Sequence, residues 1–312
     1  MKWPLIRNLP REFHFNFVRF APFAAVISAI AIIASGASFF TQGLNLGIDF
    51  VGGTLMEVQT KGPAPIAQLR QALVAAGGHD AQVQAYGDEG GAMLRFRTEG
   101  GSIAAADQVK KQLQADLPTL AIKRVEVVGP KVSGELMKSG FLALGVALLL
   151  MLAYIWFRFQ LQFGLGAVAA VLHDVLLTLG LLSFTHLEFS MTSIAALLTV
   201  IGYSMNEKVI TFDRLRENLR KYKTAPLAEV INRSENERLS RTLITGTTAI
   251  LALAGALFFG GPVLYPLVFT MVFGIVIGTY SSIYVALPII LLWGVKRGDE
   301  PAEPLKPAGA RG

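Results

Sequence analysis

Apolar residues along the chain fall into uncharged or nearly uncharged runs at about 20–40, 139–157, 159–184, 191–213, 242–260 and 264–293. Each is long enough to cross a bilayer as a helix, which takes roughly 20 residues. The last two form one charge-free stretch from Thr242 to Val295, too long for a single span, and Gly260-Gly261-Pro262 divides it with turn chemistry. The pattern predicts a membrane α-helical bundle of six transmembrane helices. The first run, Phe20 to Phe40, follows Lys2, Arg7, Arg11 and Arg19. It exceeds the roughly 7–15 apolar residues of a signal-peptide core and reads as a retained anchor.

The segment 43–138 has a different rhythm. Leu55 to Thr60 alternates as a strand does, and Pro65 to Ala76 has helical spacing with Leu69, Leu73 and Val74. Ala81 to Tyr86 and Ala92 to Arg97 alternate again and are joined by Gly87-Asp88-Glu89-Gly90-Gly91, a hairpin signal. Ser102 can cap a helix reaching Leu117, and Ala121 to Val128 is a last alternating run. The order β-α-β-β-α-β predicts an α+β ferredoxin-like domain between helices one and two.

Charge orients the bundle. Arg158 lies between helices two and three, Lys296 and Arg297 follow helix six, and 214–241 carries Arg214, Arg216, Arg220, Lys221, Lys223, Arg233, Arg238 and Arg241. Thr185-His186-Leu187-Glu188 and Gly260-Gly261-Pro262 have no Lys or Arg. The positive-inside rule therefore places both termini in the cytoplasm and 43–138 outside, in the periplasm. The resulting division is a cytoplasmic segment 1–19, helix one at 20–40, the periplasmic domain 43–138, helices two to six within 139–293, a solvated helical connector at 214–241, and a tail at 294–312. The tail's Pro, Gly and Ala cannot bury a core, so it is expected to be disordered.

Composition agrees with this picture: 53% of residues are hydrophobic and only 16% charged. The net charge of +6 does not signal a nucleic-acid partner, because the basic residues gather at the ends of apolar runs. With no cysteine, disulfides and thiol nucleophiles are excluded. The chain lacks GxxxxGK[ST], HExxH and GxSxG, and the histidines at 14, 79, 173 and 186 have no metal-ligand spacing. Neither an enzyme nor a metal site is expected.

Against this background the acidic residues within apolar runs stand out. A charge in a spanning helix costs about 2.5–3.5 kcal/mol on insertion scales and marks a functional candidate. Asp174 lies mid-run beside His173; it either bonds an interhelical hydroxyl and fixes packing, or serves as a proton-relay carboxyl. His173 is expected to point about 100° away from it. Glu207, with Asn206, is expected to face a polar interior with a cation on a neighbouring helix, and Arg241 is the candidate. Lys208 is expected to snorkel toward the headgroups. Gly274 and Gly278 form a small-xxx-small face. Asp49, Gly52 and Gly53 read, on composition alone, as a turn before a strand.

Taken in order, several segments together resemble the SecF family, membrane subunits of the bacterial Sec protein translocase related to the resistance-nodulation-division transporters. They are Gly47-Ile48-Asp49-Phe50-Val51-Gly52-Gly53-Thr54, Val128-Gly129-Pro130-Lys131-Val132-Ser133, Leu172-His173-Asp174, Ile201-Gly202-Tyr203-Ser204-Met205-Asn206-Glu207, Phe212 to Asn218, Ser240-Arg241-Thr242-Leu243 and Gly278 to Ser282. The resemblance implies a heterodimer with SecD in the bacterial inner membrane, acting with the SecYEG channel and with YajC. It implies use of the proton-motive force to help unfolded polypeptide across after ATP-driven insertion, with protons as coupling ion and no cofactor. It puts the proton-pathway acid on Glu207 and its basic counterpart on Arg241, and makes Asp49, Gly52 and Gly53 a signature at the junction of helix one and the outer domain; the reading of the apolar runs adds Asp174 and Asn206 to the same polar pathway. Glu207 stands where Asp is usual, and Lys208 where Thr is usual. A proton-driven exporter of lipids or small molecules and a passive scaffold of the translocase are the alternatives.

Overall fold

The computed structural model describes residues 13–87, 89–98 and 102–295. The tail from Lys296 onward, the first twelve residues of the N-terminal segment and Asp88 of the hairpin lie outside them. Helix α1 (Phe17–Gln42) leads through a short strand β1 (Asn45–Leu46) and a single turn α2 (Ile48–Val51) into the outer domain. That domain runs β2 (Gly53–Gln59), α3 (Ile66–Ala75), β3 (His79–Ala85), β4 (Gly91–Arg97), α4 (Ile103–Asp116) and β5 (Ala121–Val128). The bundle continues with α5 (Pro130–Arg158), α6 (Leu161–Thr185), a short strand β6 (Glu188–Phe189), α7 (Met191–Lys221) and α8 (Leu227–Phe259). It closes with α9 (Gly261–Ser281), a π-helical turn Ser282–Ala286, and α10 (Leu287–Trp293).

Among the described residues, five helical stretches are long and apolar enough to cross a membrane: Phe17–Gln42, Pro130–Arg158, Leu161–Thr185, Leu227–Phe259 and Val263–Trp293. Helix α7 is absent from that set although it is 31 residues long, because charge interrupts it. Helices outrun their apolar segments wherever polar residues still favour helix. The second predicted span starts at 139, yet α5 starts at Pro130, with proline at the first turn where its missing N–H costs nothing. The expected connector 214–241 is not a separate segment. Helices α7 and α8 run on through it to a turn at 222–226, held by Arg214–Glu237 (2.8 Å), Arg233–Glu237 (3.1 Å) and a buried Asn218–Ser234 bond (3.0 Å). Glu217 pairs with Arg214 at 2.6 Å.

The outer sheet has strand order β3-β4-β2-β5, antiparallel throughout. Alternation assigns its faces. Met56, Val58, Leu94 and Phe96 join Leu69 and Leu73 of α3 and Val109 and Leu113 of α4 in one closed core. Glu57, Arg95, Arg124 and Glu126 stand among the lining of a cleft of about 770 Å³ that the outer end of the bundle also walls, through Glu188, Phe258 and Tyr265. Beside it, burial and the neighbouring Glu57 push the Tyr86 hydroxyl up to about 12, keeping it neutral at physiological pH.

Helices α7 and α9 meet through small residues. A Cβ placed on Gly274 would lie 2.1 Å from a methyl carbon of Val200, and one on Gly278 would lie 3.1 Å from the Ser204 Cα. The small-xxx-small face thus lies against α7. Gly274→Val is therefore expected to part these helices, at a cost of about 1–3 kcal/mol, and to lower the unfolding temperature of the detergent-solubilised protein in a thermal melt.

Candidate functional site

Five charged side chains of α6, α7 and α8 are buried in the bundle: Asp174, Glu207, Lys208, Glu235 and Arg238. A buried charge is tolerated only when paired and hydrogen-bonded, so their partners define the site.

The first group centres on Asp174. Its Oδ2 accepts from Lys208 Nζ at 3.0 Å, from Ser281 Oγ at 2.7 Å and from Ser204 Oγ. Its Oδ1 meets His173 Nδ1 at 2.9 Å. The other ring nitrogen, Nε2, meets Ser28 Oγ of α1 at 3.2 Å; Ser28 meets the Tyr280 hydroxyl at 2.9 Å, and that hydroxyl donates to the Ala24 carbonyl at 2.8 Å. A continuous polar chain therefore joins α7, α6, α9 and α1. Two expectations change here. His173 does not diverge from Asp174, because rotation about the side-chain torsions brings the adjacent imidazole back onto the carboxylate. Lys208 does not snorkel: it is fully buried and also donates to the Ser204 carbonyl one turn back at 3.3 Å. Its ammonium is drawn inward because Asp174 supplies the countercharge that a buried carboxylate in turn requires.

The second group centres on Arg238. Its Nε donates to both carboxylate oxygens of Glu235 at 2.9 Å, and its Nη2 lies 2.7 Å from Glu235 Oε2. Nη1 donates to Thr242 Oγ1 at 2.7 Å and to Glu207 Oε2 at 3.3 Å; Nη2 donates to Ser282 Oγ at 3.0 Å. Thr242 donates to the same Glu207 oxygen at 3.1 Å, and among the described residues Glu207 Oε1 has no hydrogen-bond partner. The cation that Glu207 meets is thus Arg238. Arg241 is exposed, being rotated about 100° from Thr242 on α8; Asn206 is exposed for the same reason beside Glu207.

The two groups touch one element. Ser281, the last residue of α9, bonds Asp174 and Lys208, while Ser282, the first of the π turn, bonds Arg238. Single π turns often occur at functional sites because they re-aim consecutive side chains. With every carboxylate ionised, Asp174 and Lys208 cancel, whereas Glu207 and Glu235 share one guanidinium. The second group is then one negative charge in excess, and one added proton makes it neutral. Sequence reading missed Glu235 and Arg238 because they lie among connector charges assumed to be solvated. Their signal was the spacing Glu235, Arg238, Thr242, which keeps all three on one face of α8.

The junction residues form a site of their own. Asp49 Oδ2 accepts from the Met191 N–H at 2.8 Å, at the start of α7. Gly52 and Gly53 both have positive φ, and a Cβ on Gly53 would lie 2.9 Å from the Phe96 carbonyl oxygen, so this is a close approach of backbones and more than a turn. At the facing loop, burial pushes the Glu188 carboxyl above its ordinary range while Arg95, 2.9 Å away, pulls it back. Among the described residues no three His, Cys, Asp or Glu side chains gather as metal ligands would.

Residues 108–296 match the family described as protein export membrane protein SecD/SecF, C-terminal, and residues 37–64 match the SecD/SecF GG motif. The protein translocase subunit SecF of Cereibacter sphaeroides is 43% identical over 303 residues, covering 94% of both chains. That of Escherichia coli O157:H7 is 38% identical over 287 residues, covering 91% of this chain and 89% of its own. Among solved structures, the chain superposes on SecDF from Thermus thermophilus, a translocon-associated membrane protein, with a TM-score of 0.83 and 32% identity. That match covers 94% of this chain but 40% of the SecDF chain. A second SecDF structure, in its super-membrane-facing form, gives a TM-score of 0.67 at 35% identity, covering 90% of this chain and 39% of its own.

The pairing has an energetic consequence. Lys208→Met leaves Asp174 without a cation and is expected to destabilise the bundle by about 3–5 kcal/mol. The double variant Lys208→Met/Asp174→Asn should recover most of that loss, as read from thermal unfolding in detergent.

Proposed function

Since the chain belongs to the SecF family of multi-pass protein-export membrane proteins, subunits of the protein translocase, we propose that it pairs with SecD and uses the proton-motive force to assist unfolded polypeptides through SecYEG. In this reading SecD supplies the architecture that makes up the rest of a SecDF-like assembly, and YajC is an accessory partner. Helix α7 is the sixth span, admitted to the membrane by the pairing of its charges. The outer domain is ferredoxin-like, its element order β-α-β-β-α-β supporting that assignment. It lies on the periplasmic side of the inner membrane, with both termini in the cytoplasm.

The observation that carries the proton reading is the sharing of one guanidinium by Glu207 and Glu235, with Glu207 held at 3.3 Å and one of its oxygens unsatisfied. Arg238 is committed to Glu235 by the shorter, forked contacts. Glu207 is the carboxylate that can accept a proton without dismantling the rest. Ionised, it ties α7 to α8 through Arg238 and Thr242; protonated, it loses the charge that holds this contact. A two-state bundle is thereby biased, and each charge crossing 100 mV supplies about 2.3 kcal/mol to drive it. Asp174, Lys208 and the His173–Ser28–Tyr280 chain extend the polar path toward α1. Arg241 and Asn206 take part from the exposed faces of α8 and α7, open to the partner subunit.

The test is proton flux and precursor export in inverted vesicles. Glu207→Gln should lower proton-dependent export by about tenfold or more with the protein present at its normal level, and Arg238→Met, which strands two buried carboxylates, should do the same per copy of the protein in the membrane. Arg241→Met examines the exposed face: a comparable loss there extends the path to the partner interface. Normal export in all three variants sinks the coupling mechanism and leaves the passive scaffold.

A further inference from the structure

The segment Gly47–Gly53 does more than connect α1 to the outer domain. Strands β1 and β6 pair in parallel, Asn45 opposite Glu188 and Leu46 opposite Phe189, and Gly47 donates its N–H to the Phe189 carbonyl at 2.8 Å. Asn45 Nδ2 donates to the His186 carbonyl at 2.9 Å. From the outer sheet, Arg95 of β4 reaches down to three groups at once: Glu188 Oε2 at 2.9 Å, Asn45 Oδ1 at 3.0 Å and the Leu46 carbonyl at 3.3 Å. Arg97 donates to the Val51 carbonyl at 3.3 Å. Beneath these contacts lies a small apolar core of Phe50, Leu182, Phe189, Ile194 and Leu197, with the rings of Phe50 and Phe189 stacked at 5.5 Å. A Cβ on Gly47 would sit 2.5 Å from Glu188 Oε1, so glycine there leaves the carboxylate its place beside Arg95.

The position of this joint along the helices gives it meaning. Leu182 belongs to α6, eight residues beyond Asp174; Ile194 and Leu197 belong to α7, whose first N–H is held by Asp49 and which carries Ser204, Glu207 and Lys208 further down. At 1.5 Å rise per residue, Asp49 grips α7 roughly 25 Å from the buried charges. A helix is stiff over that length, so a displacement at one end arrives at the other.

We propose that Asp49, Arg95 and Glu188 are positioning residues of a rigid transmission joint, through which movement of the α6–α7 pair at the buried charges is delivered to the outer domain. The inference rests on the proton-coupling reading given above. Asp49 acts by fixing the start of α7 to α2. Arg95 acts by fixing the outer sheet to the α6–α7 loop, and the paired β1 and β6 with their shared core keep the two attachments in register. Loosening the joint leaves proton movement through the bundle in place and disconnects it from the domain that moves.

The chain has no cysteine, so spin labels can be placed by introducing Gln108→Cys on α4 and Phe184→Cys on α6, both exposed. Pulsed distance measurement on the assembled complex then reads the joint directly, and flux and export assays read its use. Asp49→Ala, which removes the acceptor for the Met191 N–H, should broaden the distance distribution and lower export by about tenfold while proton flux stays within about twofold of normal. Asp49→Asn keeps an acceptor at that helix start and should behave as the parent does. Glu188→Arg should uncouple in the same way, and the charge swap Arg95→Glu/Glu188→Arg, which restores the ion pair but not the donation to Asn45 and Leu46, should narrow the distribution and raise export relative to Glu188→Arg alone. An unchanged distribution in Asp49→Ala and Glu188→Arg overturns the joint, as does a parallel fall of flux and export. Failure of the proton reading looks different: Glu207→Gln would then export normally, whatever the joint variants do to the measured distance.

Discussion

Everything in the bundle is arranged around the cost of holding ionised side chains away from water. An isolated carboxylate or ammonium in a medium of low dielectric is penalised by many kcal/mol, and only a close countercharge with its remaining hydrogen bonds satisfied offsets that. Asp174 meets the condition through Lys208, His173 and two serines; Glu235 meets it through the fork of Arg238. These requirements dictate which helices touch. Helix α7 can lie at the centre because α6 and α8 bring the countercharges and α9 brings Ser281 and Ser282. Helix α9 can come that close only because Gly274 and Gly278 present no side chain to Val200 and Ser204.

Glu207 is the least completely paired of these buried charges, and the proposed coupling rests on that incompleteness. It shares its cation with a better-placed rival and leaves one oxygen without a partner. A fully satisfied network would resist change, since each group would lose several contacts at once. A carboxylate at the margin of such a network can change its charge while the others hold their positions. The same contrast recurs at the outer end of the bundle. There Asp49 accepts from the Met191 N–H and Glu188 is held by Arg95 over the stacked Phe50 and Phe189 rings, although Arg95 Nε has no partner among the described residues.

Much of this was legible in the order of residues. Five of the six apolar runs fell on helices long and apolar enough to cross a membrane, and the alternating segments of 43–138 matched the strands to within about two residues, the usual uncertainty of element ends. Asp174 and Glu207 were conspicuous because charge in a long apolar run is costly. Other features were misread for identifiable reasons. Spans judged by apolarity stopped at 213 and restarted at 242, whereas helices α7 and α8 continue to Lys221 and begin at Leu227, because hydropathy follows the membrane and helix propensity does not. Lys208 looked like a headgroup anchor, since periodicity cannot show that Asp174 stands across from it on another helix.

What the sequence determined by itself is the set of elements and the kinds of charge that had to be buried, because periodicity and desolvation are local or additive along a chain. What only the tertiary structure decided is pairing: Arg238 in place of Arg241 for Glu207, Lys208 for Asp174, His173 for its own neighbour, and Asp49 for the start of α7. A side chain's partner depends on helix rotation, on a π turn that aims Ser281 and Ser282 at different groups, and on glycines that let backbones meet. Those are properties of how helices pack against one another, and a hydrogen bond that needs its donor and acceptor within about 3 Å responds to nothing less.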